Sequence, residues 1–165
     1  MNFFIFSLPR SGSAWLSVFL TGADSYCYHE LTIEQDWPLV AGSRKEQLIG
    51  AVDTAAILDP KKIYDLYPHI DYYSLVRNKE DINKSLRRVG LGKFNANKYP
   101  LPPHTPIFYE KLHDIGYLNH IWDAIIGTPF DKERAERLVD MNIQRDLVAL
   151  FSKMNSIANT ARGDA

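Results

Sequence analysis

The sequence predicts an α/β protein: a three-layer α/β/α arrangement with a central, mostly parallel sheet and a helical C-terminal part. Three observations carry this. Strand-like apolar runs alternate with helical patterns through the first ninety residues, the first run enters a helix through a Pro-Arg-Ser-Gly turn, and the composition is that of an ordinary globular chain. Repeated β-α units of this length build parallel sheets with right-handed crossovers, and ligands bind beyond the carboxyl ends of the strands.

Residues 2–7 are aromatic and β-branched without strict alternation, the pattern of a strand covered on both faces. Leu8-Pro9-Arg10-Ser11-Gly12 makes the turn. From Ser13, Trp15, Leu16, Phe19 and Leu20 recur at helical spacing, and Gly22 is a stop signal. Ser25 to His29 reads as a short second strand, followed by a mixed stretch ending near Trp37-Pro38. A short polar helix is expected around Ser43–Gln47, then a buried strand from Leu48 to Ala55. Asp59 and Pro60 supply an N-cap and a first helical position for a helix through Leu66. Tyr72 to Val76 forms the next strand and Asn78 to Arg88 the next helix. Val89 to Pro106, rich in Gly, Asn and Pro, is expected to be an exposed loop or lid. Beyond it the pattern is helical: Ile107 to Ile126, a helix capped by Asp131 through Val139, and Ile143 to Ile157, with a frayed tail over Asn159–Ala165.

A length of 165 residues suits one domain, with residues 1–90 as a nucleotide-binding core and 107–158 as the helical part. Hydrophobic residues at 45% and charged residues at 24% exclude a disordered chain. A formal net charge of −1 argues against a general nucleic-acid binder, so any anion site must be local. Cys27 is the only cysteine, so no intrachain disulfide forms, and no Cys/His set has metal-ligand spacing. The Phe3–Phe6 run is too short for a membrane span and lacks a basic leader. A cytoplasmic location is therefore expected. No repeat or low-complexity tract appears.

Two constellations bear chemistry. A loop from a buried strand into a helix points backbone N–H groups and the positive end of the helix dipole at one spot, where phosphate binds. Gly12 lets the backbone approach the ligand, Ser11 and Ser13 add hydroxyls, and Arg10 adds a charge that forks onto phosphate or sulfate oxygens. The loop does not fit G-x-x-x-x-G-K-[ST], because no lysine stands where the helix begins. Further on, a strand ends in Arg77 and the following helix carries Ser85 about two turns in. Arg77 and Ser85 can hold a second phosphate on the same sheet edge.

The pair of motifs resembles the sulfotransferase family that uses 3′-phosphoadenosine-5′-phosphosulfate (PAPS). In that family a Pro-Lys/Arg-Ser-Gly-Ser/Thr-x-Trp/Leu loop follows the first strand, and a strand ending in Arg precedes a Ser eight positions later. Pro9-Arg10-Ser11-Gly12-Ser13-Ala14-Trp15 and Arg77 with Ser85 match these patterns. The resemblance implies a P-loop nucleoside-triphosphate-hydrolase-like fold, PAPS as co-substrate with no metal, and transfer of a sulfuryl group to an unidentified hydroxyl or amine acceptor. It further implies that Arg10 contacts the phosphosulfate, that Ser11 to Ala14 supply backbone N–H groups, that Trp15 stacks on adenine, and that Arg77 and Ser85 hold the 3′-phosphate. Pro129 to Arg134, with Leu138 and Asn142-Ile143, looks like a tail segment of the same family. The chain departs from the family at Ala14, where a hydroxyl residue is common, and Gly90-Leu91-Gly92-Lys93 is a poor match to the family's late Gly-x-x-Gly-x-x-Lys loop.

Sulfuryl transfer needs alignment of the acceptor, neutralisation of the leaving phosphate and a base for the acceptor proton. The candidates nearest the loop are Glu30, the first choice because Cys27 to Thr32 resembles a segment in which some sulfotransferases use Glu, and His29, whose ordinary pKa suits base catalysis. Neighbours in a strand face opposite ways, so only one should point into the site. Asp53 and Thr54 end a strand on the same edge and either orient a ligand or cap the turn. Two other readings remain: a P-loop kinase-like phosphotransferase with Asp53 as its acidic strand end, and a protein that binds PAPS or its desulfated product without turnover. Oligomeric state is left open.

Overall fold

A computed structural model of the chain describes residues 1–33, 46–95 and 97–141. Five strands, β1 (Phe3–Ser7), β2 (Ser25–His29), β3 (Leu48–Asp53), β4 (Asp71–Val76) and β5 (Thr105–Phe108), form one sheet in the order β2-β3-β1-β4-β5. Every pairing is parallel. β1 occupies the centre because both of its faces are apolar. Phe3 and Ile5 enter one core and Phe4 and Phe6 the other, each no more than 1% exposed. In register, Phe3 lies opposite Gly50, and a Cβ there would sit 2.1 Å from the Phe3 ring. The absent side chain is the space the ring fills.

The helices divide between the two faces. α1 (Ser13–Leu20), α4 (Ile115–Ile125) and α5 (Lys132–Asp140) pack with Phe3 and Ile5 through Leu16, Phe19, Leu118, Trp122 and Leu138. α2 (Pro60–Leu66) and α3 (Lys79–Arg88) pack with Phe4 and Phe6 through Ile63, Ile82 and Leu86. Their starts are written locally. Asp59, Asn78, Asp114 and Asp131 each accept a backbone N–H in the first turn of the helix that follows. At the other end of α1, Arg134 of α5 donates to the carbonyls of Phe19, Val18 and Thr21. That guanidinium satisfies carbonyls the helix leaves open and ties α5 to the sheet.

The α/β class and the mainly parallel sheet agree with the sequence reading. One segment does not. The stretch from Ile107, read as helical, begins inside β5, passes through a 3₁₀ turn at Tyr109–Lys111, and becomes α-helical only at Ile115. β5 is four residues at the sheet edge, with only Ile107 buried, so too few apolar positions exist to register a strand period. Pro106 is tolerated because an edge strand leaves one side unpaired. The exposed loop is correspondingly shorter, since Thr105 and Pro106 belong to the sheet. The strand read as Leu48 to Ala55 stops at Asp53, and Thr54 starts a 3₁₀ turn over Ala55–Leu58. The helices expected at 43–47 and 143–157, and the tail 159–165, lie outside or largely outside the described residues. Among the described residues, no helix is long and apolar enough to cross a membrane.

Candidate functional site

β1 continues into α1 on one face of the sheet, while its neighbour β4 continues into α3 on the other. Adjacent strands whose connections leave on opposite faces open a crevice at their carboxyl ends. The loop from Leu8 to Gly12 and the strand end at Arg77 border it.

Gly12 is the N-cap of α1, at φ 82°, and its carbonyl accepts the Leu16 N–H at 2.9 Å. Two constraints demand glycine here. The backbone is left-handed, and a Cβ would stand 2.7 Å from the Tyr109 ring that covers the turn. No side chain caps the start of α1. Arg10 also adopts a left-handed conformation, φ 63°, at a cost of about 1–2 kcal/mol for a non-glycine residue. Such strain concentrates where a side chain must be aimed.

Arg10 is aimed at the second constellation. Its Nε donates to Ser85 Oγ at 3.0 Å, and the Arg77 Nη1 donates to the Arg10 carbonyl. The Arg77 guanidinium lies 3.9 Å over the Tyr109 ring. Residues from two strand ends and a helix thus meet at one point. Among the described residues, neither arginine has a carboxylate partner. Ser11 Oγ and Arg77 Nε are buried with no hydrogen-bond partner. Unsatisfied buried donors cost about 1–3 kcal/mol each.

On the other flank, Ser13 Oγ shares a 3.1 Å hydrogen bond with His29 Nε2. Glu30 follows the end of β2 at φ 55°, and this left-handed turn breaks strand alternation. Both side chains therefore face one another, with His29 Nε2 and Glu30 Oε1 3.4 Å apart, against the expectation that only one would point inward. Glu30 is held from behind: its carboxylate accepts from the Thr54 N–H at 3.1 Å and the Thr54 hydroxyl at 2.8 Å. Burial pushes the His29 pKa below its ordinary value of 6.5, opposed by the charges of Glu30 and Asp53. The ring is consequently neutral near pH 7 and able to accept a proton.

Asp53 is fully buried and committed. It accepts from the Thr32 N–H at 2.7 Å, the Thr32 hydroxyl at 2.8 Å and the Ala56 N–H at 2.8 Å. Of the two roles open to it, capping the turn is the one these bonds describe. Trp15 stacks on Phe19, ring centroids 5.4 Å apart, and its Nε1 donates to the Leu138 carbonyl at 2.8 Å. It also lines a cavity of about 600 Å³ together with Gly12, Arg77, Tyr109, Leu112 and Val139. Ala14 is buried in the first turn of α1 and adds only its backbone.

Tyr109 and Thr54 matter more than sequence reasoning suggested. Tyr109 reaches the loop from the turn after β5, a strand whose pattern is too short to read, and Thr54, for which the sequence leaves ligand orientation and capping equally open, donates to Glu30. Among the described residues, no three His, Cys, Asp or Glu side chains cluster as a metal site. A scan against protein-family models finds no match for this chain, and a search among curated proteins finds none.

Proposed function

We propose that this chain is a P-loop-type sulfotransferase that binds PAPS at the β1–β4 crevice and transfers its sulfuryl group to a hydroxyl or amine acceptor. The observation that supports this best is the convergence of Arg10, Arg77 and Ser85 on a glycine turn at a helix N-terminus, with no carboxylate partner for either arginine among the described residues. A nucleotide carrying both 5′ and 3′ anionic groups offers a partner to each half of that cluster. The missing lysine at the start of α1 and the full commitment of Asp53 to Thr32 and Ala56 argue against the kinase-like reading.

In this reading the α1 N-terminus, Ser11 and Arg10 hold the 5′ phosphosulfate, Arg77 and Ser85 hold the 3′-phosphate, and the cavity beside Trp15 and Tyr109 receives the base. Sulfur–oxygen cleavage leaves the phosphate with its negative charge, which the loop stabilises, while the acceptor oxygen or nitrogen forms the new bond to sulfur. The acceptor proton goes to His29 Nε2, which borders the loop through Ser13. Glu30, anchored by Thr54, steadies the imidazolium that results.

Calorimetry with 3′-phosphoadenosine-5′-phosphate tests the reading. Micromolar binding is expected, with adenosine monophosphate failing to compete. Absence of binding overturns it. Binding without sulfuryl transfer from PAPS to any of a panel of phenols, alcohols and amines leaves a nucleotide-binding protein instead, and turnover that requires ATP and Mg²⁺ establishes the kinase-like alternative.

A further inference from the structure

A second cavity, of about 550 Å³, lies beneath the strap of residues 100–104, and Arg77 borders both it and the crevice. Its polar lining is cationic and neutral: Arg77, Lys79, Asn97 and His104, with no Asp or Glu among the described residues that line it. Leu8 and Leu101 contribute an apolar floor. The strap is fastened to the fold. Ser74 Oγ donates to the Pro102 carbonyl, and His104 Nε2 shares a 2.7 Å hydrogen bond with the Tyr64 hydroxyl. His104 is further stacked on Phe6 and Tyr72, with centroids 5.7 and 5.1 Å away. The cavity is thus built into the structure before any ligand arrives, which reduces the ordering that binding requires.

We infer that this cavity is a separate binding site for a small amphipathic organic anion, with its charged group at Lys79 and its apolar body on Leu8 and Leu101. Two cations without a lining carboxylate favour negative charge, and the apolar floor beneath the prolines favours an aryl or alkyl body over a bare inorganic ion. The site is not where an acceptor would meet His29. β2 and β4 are separated by β3 and β1, so a strand spacing of about 4.8 Å puts their ends roughly 14 Å apart.

The test is an amide-shift titration of the full chain with phenyl phosphate, using benzyl alcohol as its neutral counterpart and Lys79→Glu as the variant. Lys79 is exposed, and among the described residues it forms no ion pair, so its substitution leaves the fold intact. Phenyl phosphate is expected to shift the amides of Lys79, Leu101 and His104 while those of Trp15 and Leu112 stay in place, and Lys79→Glu should weaken it fivefold or more. Benzyl alcohol should give no saturable shift. Movement confined to Trp15 and Leu112, a loss below fivefold in the variant, or equal binding of benzyl alcohol overturns the inference. The site does not depend on the proposed activity: binding of 3′-phosphoadenosine-5′-phosphate without binding of phenyl phosphate refutes the second site alone.

Discussion

Replacing Arg77 with alanine separates the two things its guanidinium does. Within the fold, Nη1 donates to the Arg10 carbonyl and the planar group lies 3.9 Å over the Tyr109 ring. A charge-assisted hydrogen bond contributes about 1.5–3 kcal/mol and a half-exposed cation–π contact about 0.5–1 kcal/mol, so a stability loss of roughly 2–4 kcal/mol is the upper bound. Relief of the unpartnered Nε offsets part of it, and about 1–2 kcal/mol is the expected net loss. In the proposed nucleotide complex, the same group would supply one charge-assisted contact to the 3′-phosphate. Losing it weakens 3′-phosphoadenosine-5′-phosphate by about 1.5–3 kcal/mol, or roughly 10- to 150-fold. Urea titration measures the first effect and calorimetry the second. Arg77→Lys retains charge but not the fork, and should fall between parent and Arg77→Ala in affinity. An Arg77→Ala variant that remains folded and binds the bisphosphate within threefold of the parent would refute the assignment of Arg77 to the phosphate, whatever happens to stability.

Two further outcomes are expected. Gly50→Ala drives a methyl group into the Phe3 ring at 2.1 Å, on the central strand where neither side can move aside, and should lower stability in urea by about 1–3 kcal/mol; an unchanged midpoint would mean that the β1–β3 register differs. His29 and His104 both have pKa values lowered by burial, so the unfolded chain binds protons more readily than the folded one below their ordinary value of 6.5. Their contribution to stability is intact above pH 6.5 and declines as pH falls through the lowered values. Urea midpoints at pH 7.5 and 5.0 should diverge less in the double variant His29→Gln/His104→Gln than in the parent; equal divergence would show that other groups govern the acid limb.

Much of the layout was legible in the chain because it is local. The strand–turn–helix of residues 3–20 follows from an apolar run, a Pro-Arg-Ser-Gly turn and helical spacing of Trp15, Leu16 and Phe19, and none of these needs a distant partner. Asp59 before Pro60 marked the start of α2 for the same reason: a cap acts on backbone within three residues of itself. β5 escaped, since four residues with one buried side chain become a strand only through pairing with β4. The sheet order was equally out of reach, because it depends on which strand is apolar on both faces once all are compared in space.

The sequence by itself determined the α/β class, the glycine turn and the presence of Arg10, Arg77 and Ser85 near strand ends. Tertiary structure alone decided their meeting: Arg10 and Ser85 are 75 positions apart and touch only because β4 lies beside β1 with α3 crossing its end. It also turned Glu30 back onto His29, through one left-handed residue that strand alternation does not anticipate, and set Tyr109 over Gly12. Local propensity acts over a few residues, whereas a site of this kind is assembled from strand ends whose order in space differs from their order along the chain.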